Sequence, residues 1–114
     1  MTLPINLITG SITLFNESET PAEELTAEIF DEAAEHQFFF ATTGASMFAY
    51  SDQDNDGNPL GLSFELTTGD AGNESYTITL RHEPDKTAAG VSSGDITNAG
   101  GETDIEVVFD VVVE

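Results

Sequence analysis

Hydrophobic and polar positions change period several times along the chain, and each change marks an element. Residues 11–16 (Ser-Ile-Thr-Leu-Phe-Asn) alternate with period two, which predicts a strand with Ile12 and Leu14 on one face. Ala22, Leu25, Ile29 and Ala33 then recur at helical spacing, so a narrow apolar stripe runs along an otherwise acidic segment, 21–35. Thr20 is placed as its N-cap, Pro21 as its first helical residue, and Glu23 completes a capping box with Thr20. Phe38-Phe39-Phe40 suits a strand buried on both faces, with a strand that exposes one sticky face as the alternative. Thr43-Gly44 turns the chain into a strand over 46–50, with Phe48 and Tyr50 on one side.

Leu62, Phe64 and Leu66 alternate with Ser63, Glu65 and Thr67, a half-buried strand. A turn over 69–73 leads to Tyr76, Ile78 and Leu80, which alternate with polar residues and read as the second arm of a hairpin. Residues 83–103 are rich in Gly, Ala and Ser and show little periodicity, a length uncommon for a connection unless it is functional or mobile. Asp104–Glu114 closes the chain as a long strand. Ile105, Val107, Phe109, Val111 and Val113 face one way, while Val108 and Val112 partly cover the other, as in a central strand. About six strands, one helix and no βαβ rhythm predict a mainly β protein. The expected fold is an antiparallel β-sandwich, immunoglobulin- or fibronectin-like, with one amphipathic helix at about 21–35.

Length and charge narrow the picture. The 114 residues suit a single domain, and an apolar content of 39% is enough for a core. Acidic residues number 22 against 2 lysines and arginines, a net charge of −20. Nucleic-acid binding is excluded on this balance, since phosphate neutralisation needs lysine and arginine. Anionic membrane surfaces are disfavoured for the same reason. Cations remain the natural partners, whether divalent metals or a high-salt medium that screens self-repulsion. No cysteine is present, which removes disulfides, thiolate metal sites and cysteine nucleophiles. No apolar run of about 18 residues offers a membrane span. The opening Leu3-Pro4-Ile5-Asn6 carries no visible signal peptide and reads as the cut end of a longer precursor.

Two constellations carry candidate chemistry. In Asp52-Gln53-Asp54-Asn55-Asp56-Gly57-Asn58, alternating carboxylates can curl toward one centre, Gly57 permits a sharp turn, and Asn58 stands where a backbone carbonyl contributes. Calcium, a hard cation taking about six to eight oxygens, fits this pattern. The helical EF-hand match fails, because Ser63 stands where the bidentate glutamate belongs and the flanks read as strands. Calcium at Asp52, Asp54, Asp56 and Asn58 would therefore need further donors such as Glu65. The alternative is an ordinary acidic turn.

The second constellation uses the two histidines. Glu35-His36-Gln37 closes the helix and Arg81-His82-Glu83 closes a strand. If those ends meet, His36 and His82 with Glu35 or Glu83 make a zinc or copper site. The alternatives are a helix-terminal histidine favoured by the dipole, a hydrogen-bonded core histidine, or simple pairing of Arg81, His82 and Lys86 with nearby acids. Catalysis has no matching motif: there is no Gly-x-Ser-x-Gly elbow, phosphate loop or dinucleotide fingerprint, and carboxylate pairs drawn from so many acids are uninformative.

Several runs together carry a resemblance. They are residues 14–23 (Leu-Phe-Asn-Glu-Ser-Glu-Thr-Pro-Ala-Glu), Glu35-His36-Gln37-Phe38-Phe39, and 54–61. Leu80-Arg81-His82-Glu83-Pro84-Asp85-Lys86 and residues 93–107 complete the set. They resemble a family of small lipid-anchored exported proteins of Bacteroidetes-type bacteria, often labelled type 1 periplasmic-binding-domain lipoproteins. The resemblance covers the chain from about residue 7 and would make it the C-terminal portion of such a protein. It implies export, a lipid anchor on an upstream cysteine and an upstream β-rich half. The location implied is periplasmic or anchored at the outer membrane. Some relatives accompany TonB-dependent outer-membrane receptors and metal-responsive genes, which implies a receptor or other cell-surface protein as partner. It implies no catalytic residues. The resulting expectation is a non-enzymatic exported domain that binds a divalent cation, with structural calcium in the Asp52–Asp56 loop. Zinc or copper handling through the histidines, and an adhesion or assembly module without metal, are the alternatives.

Overall fold

A computed structural model describes residues 1–18 and 20–114; Glu19, within the first of the resembling runs, lies outside the described residues. In chain order the strands are β1 (Thr2–Leu3), β2 (Leu7–Ser11), β3 (Phe15–Asn16), β4 (Glu23–Glu24), β5 (His36–Thr42), β6 (Met47–Tyr50), β7 (Ser63–Thr67), β8 (Gly72–His82) and β9 (Glu102–Val113). One helix, α1 (Thr26–Asp31), follows β4, and 3₁₀ turns occupy Ala33–Glu35, Val91–Ser93 and Ile96–Asn98.

The expected sandwich-like, mainly antiparallel architecture is present. One sheet runs β1-β9-β8-β5 and the second β2-β7-β6, with β3-β4 a separate ribbon. Every pairing is antiparallel except β1 with β9. The sheets meet through aromatic rings. Phe40 of β5 stacks on Phe48 of β6 at 4.8 Å, and Tyr76 of β8 meets the Phe48 edge at 5.1 Å. Phe64 and Leu66 of β7 pack there with Tyr76, Val111 and Val113. A second cluster joins Phe38, Leu60, Leu62 and Leu80, with Ile12, Leu14, Ile29 and Ala33 against it. Each fully buried side chain of this size contributes about 1.5–3 kcal/mol. Phe39 points the other way and is covered by Val91 and Ala99, so the Phe38-Phe39-Phe40 strand is buried on both faces as its composition requires. The connection over 83–101 is thus a packed flap held on by Phe39.

Four expectations are corrected. The helix spans only Thr26–Asp31, and neither Thr20 nor Pro21 caps it. The Thr20–Pro21 peptide is cis, and Glu23–Glu24 pairs with Phe15–Asn16 instead of turning helically. Leu14 decides the start: its carbonyl accepts the Leu25 N–H at 2.8 Å and its N–H donates to Thr26 Oγ1 at 2.9 Å. Glu32 and Glu35 oppose the helix dipole at the other end. The apolar stripe survives in part, with Leu25, Ile29 and Ala33 half-buried and Ala22 exposed.

The strand expected over 11–16 is interrupted: β2 ends at Ser11, residues 12–14 lie outside the strands, and Phe15–Asn16 forms β3. Ile12 and Leu14 still share an inward face, but the Leu14 N–H is already taken by Thr26. β7 and β8 are not a hairpin: they belong to opposite sheets, and the chain crosses between them at 68–71. Crossing lets the apolar face of Phe64 and Leu66 meet that of Tyr76 directly, which pairing within one sheet would not. β9 is not central along most of its length, because β1 covers it only at Val112 and Val113.

A buried carboxylate ties the sheets at this crossing. Glu74 accepts hydrogen bonds from Ser46 Oγ at 2.6 Å, Thr42 Oγ1 at 3.1 Å, the Ser46 N–H at 3.2 Å and Tyr76 Oη at 3.3 Å.

Candidate metal centre

The ends of β5 and β8 do meet. His36 opens β5 directly after the Ala33–Glu35 turn, and His82 closes β8. The antiparallel register sets them directly opposite each other, with rings stacked at 4.9 Å and 8°. Cross-strand neighbours of this kind share one face of the sheet.

The third member was not foreseen. Asp104 of β9 puts Oδ2 3.8 Å from His36 Nε2. Leu80 pairs Ile105 whereas Arg81 pairs Thr103, so Asp104 is the extra residue of a β-bulge. Strict alternation would send Asp104 to the face opposite Ile105; the bulge re-aims it toward the histidines. Each of His36, His82 and Asp104 offers one ligand atom, and these atoms all lie within 4.8 Å of one another.

The donors are unequal in freedom. His36 is buried, and its Nδ1 lies 3.1 Å from the Glu32 carbonyl. An Nδ1–H donated to that oxygen leaves the Nε2 lone pair directed at Asp104, the arrangement that orients metal-binding imidazoles. His82 and Asp104 are each 39% exposed at the side chain and free to adjust. Zinc–nitrogen bonds of about 2.0–2.1 Å bring neighbouring ligand atoms closer together than they stand here. Seating an ion therefore takes a rotation of the two exposed members toward the fixed one.

The glutamates expected at this site are nearby but differ in role. Glu83 Oε1 lies 3.8 Å from His82 Nε2. Its backbone sits at φ 54°, and its N–H donates to the Glu35 carbonyl at 2.6 Å. Glu35 thus joins the two element ends through its backbone, and its exposed side chain is outside the three-residue group. Gly101, at φ 72°, lets β9 approach the His82 carbonyl so closely that a Cβ there would collide with it. Arg81 is engaged elsewhere, donating to Thr103 Oγ1 and the Gly100 carbonyl.

The acidic loop has other partners. Asp52 accepts the Gly61 and Ser63 N–H groups at 2.7 and 3.1 Å, fastening the loop's exit. Asp54 Oδ1 accepts the Asp56 and Asn58 N–H groups, and its Oδ2 meets Lys86 Nζ at 2.9 Å. The same ammonium donates to the carbonyls of Ala33 and Pro59 at 2.8 and 2.9 Å. Burial pushes the Asp54 carboxyl up, but the Lys86 hydrogen bond and charge, with the two amides, outweigh it and hold it below the usual range. The loop carboxylates are not gathered as a ligand set, and a lysine stands against Asp54 where a calcium ion was expected.

No helix among the described residues is long and apolar enough to cross a membrane. Comparison with protein-family models, with curated proteins and with solved structures gives no match to this chain, so the site's own geometry carries the functional reading.

Proposed function

We propose that this domain binds a transition-metal ion, zinc or copper, through His36 Nε2, His82 and Asp104, as a binding module and not a catalyst. The observation that supports this most is the orientation of His36. A buried imidazole anchored at Nδ1 by a backbone carbonyl has its other nitrogen near a carboxylate, with a second imidazole stacked on its face. Two nitrogens and one carboxylate oxygen suit zinc or copper better than calcium, which prefers oxygen alone. Glu83 or water completes the coordination. The net charge of −20 raises the local concentration of cations around the site.

The test is calorimetric titration of zinc and of copper into the domain at fixed ionic strength. Wild type binds one ion per chain. His82→Ala, at a partly exposed position, abolishes binding while the thermal transition of the metal-free protein stays near its original value. Unchanged binding in His82→Ala rules out this site.

A further inference from the structure

We propose that the open edge of β9 is a strand-acceptor site for an extended partner segment that alternates apolar and basic residues. β9 runs twelve residues and pairs with β8 throughout, yet β1 covers it only at Val112 and Val113. The backbone shows which groups are left over. Val112 N–H donates to the Met1 carbonyl at 2.8 Å, Glu114 N–H donates to the Leu3 carbonyl at 2.9 Å, and the Met1 nitrogen donates to the Asp110 carbonyl at 3.2 Å. Even-numbered residues therefore direct their amide groups to the edge away from β8. By alternation the N–H and C=O of Glu106 and Val108, and the N–H of Asp110, point off the same edge with no strand beside them among the described residues. An uncovered row of this kind is a template for an added strand.

The two faces beside that edge specify the occupant. Inward, Ile105, Val107 and Phe109 remain 36–40% exposed, although they point between the sheets. They border an apolar groove of about 410 Å³ whose floor includes Ile12, Leu14 and Phe64. An added strand would bring its own inward side chains over this groove and close the sandwich. Outward, Glu106 and Asp110 flank Val108, all exposed. An incoming strand with lysine or arginine at its outward positions would set opposite charges across the new pair, which stabilises it. A second copy of this chain would set the same acids against each other. The direction is the one β1 already shows, parallel to β9.

The experiment uses a fluorescently labelled peptide of about seven residues alternating valine and lysine, and reads binding by anisotropy at fixed physiological salt. Saturable binding is expected. It should fall by roughly tenfold or more with a peptide N-methylated along one edge, because strand addition rests on main-chain hydrogen bonds. Comparable binding by the N-methylated peptide or by a scrambled one overturns the proposal, since charge attraction alone would then explain it. Val108→Pro removes an N–H that faces the open edge and leaves the β8 ladder intact, as proline at an edge does. It is expected to lose the peptide. The double change Glu106→Lys and Asp110→Lys is expected to switch preference to a valine–glutamate peptide; unchanged preference counts against the charge assignment. Sedimentation showing that the domain alone dimerises through this edge, with the dimer lost in Val108→Pro, would replace the partner segment by a second copy and overturn the proposal.

Discussion

Lys86 Nζ sits 2.9 Å from Asp54 Oδ2, with both side chains almost completely buried. Through the two carbonyls it also reaches, one ammonium holds three segments together: the acidic loop, the turn after α1, and the flap over 83–101. All three of its protons have acceptors. The ion pair does for the Asp52–Asp56 loop what a bound cation would do, neutralising its innermost carboxylate from within the chain.

Lys86→Met should therefore destabilise strongly, because it leaves Asp54 buried without its counter-charge. Breaking one side of a buried pair costs about 3–5 kcal/mol. Adding Asp54→Asn to Lys86→Met should recover part of that loss, since the amide keeps acceptor capacity without the charge. Urea denaturation of the two single variants and the double variant measures the coupling. Additive losses would show that the pair does not act as a unit.

Glu74 predicts a pH dependence. Hydrogen bonds from the Ser46 hydroxyl chiefly, against the opposing effect of burial, and then from the Ser46 N–H, Thr42 and Tyr76, hold its carboxyl below the usual range. A carboxyl lowered on folding stabilises the native state above its unfolded pKa of about 4.3. That contribution is lost as pH falls through the lowered native value. Glu74→Gln should be less stable than wild type at neutral pH, and the gap should narrow as pH drops below about 4. Comparing the two proteins at each pH cancels the relief of general acidic repulsion, which both share. A gap that stays constant down to acid pH would remove Glu74 from the ionised network.

Much of this architecture could be read from side-chain periodicity, and what could not has a physical reason. Phe38-Phe39-Phe40 favoured burial on both faces over an exposed aromatic face, because large apolar side chains are mostly inside. Leu62, Phe64 and Leu66 showed their inward face, but alternation says nothing about which strand lies alongside, so the assignment of β7 and β8 to opposite sheets was hidden. His36 and His82 were visible as a pair of element ends. Asp104 was not, because only the bulge between the Leu80 and Arg81 pairings turns it to their side. Lys86 read only as one of three cationic residues that pair with nearby acids. Its burial goes with the docking of the flap, whose Val91 and Ala99 pack on Phe39, a tertiary event with no local signature.

The proposed metal site predicts a graded response among its acids. Asp104→Asn should weaken zinc by at least about tenfold, whereas Glu83→Gln should have a smaller effect, because Glu83 lies outside the three-residue group. Glu35→Gln should leave affinity unchanged, since Glu35 acts through its backbone carbonyl. Binding should also weaken as pH falls, because protons compete with the metal for the imidazole nitrogens. Titrations in buffers of different ionisation enthalpy would read the protons released. An equal effect of all three acid substitutions would mean general attraction of cations and not a coordination site.

Salt should stabilise the whole domain. The net charge of −20 has almost nothing to offset it, and segment 23–35 carries Glu23, Glu24, Glu28, Asp31, Glu32 and Glu35 within a short stretch. Repulsion between exposed charges is screened over about 10 Å at 0.1 M and about 3 Å at 1 M. The Lys86–Asp54 attraction is buried and screened much less, so added salt removes more repulsion than attraction. Thermal unfolding should therefore shift upward by several degrees between about 0.05 M and about 1 M salt. Sodium and potassium chloride should act alike, because screening depends on ionic strength and not on the identity of the ion. A rise with one cation alone would point to a specific site, and a fall with both would mean that attractive surface pairs outweigh repulsion. Because α1 and its flanks hold the densest acids, hydrogen exchange there should slow with salt more than in β8, whose backbone is paired on both sides.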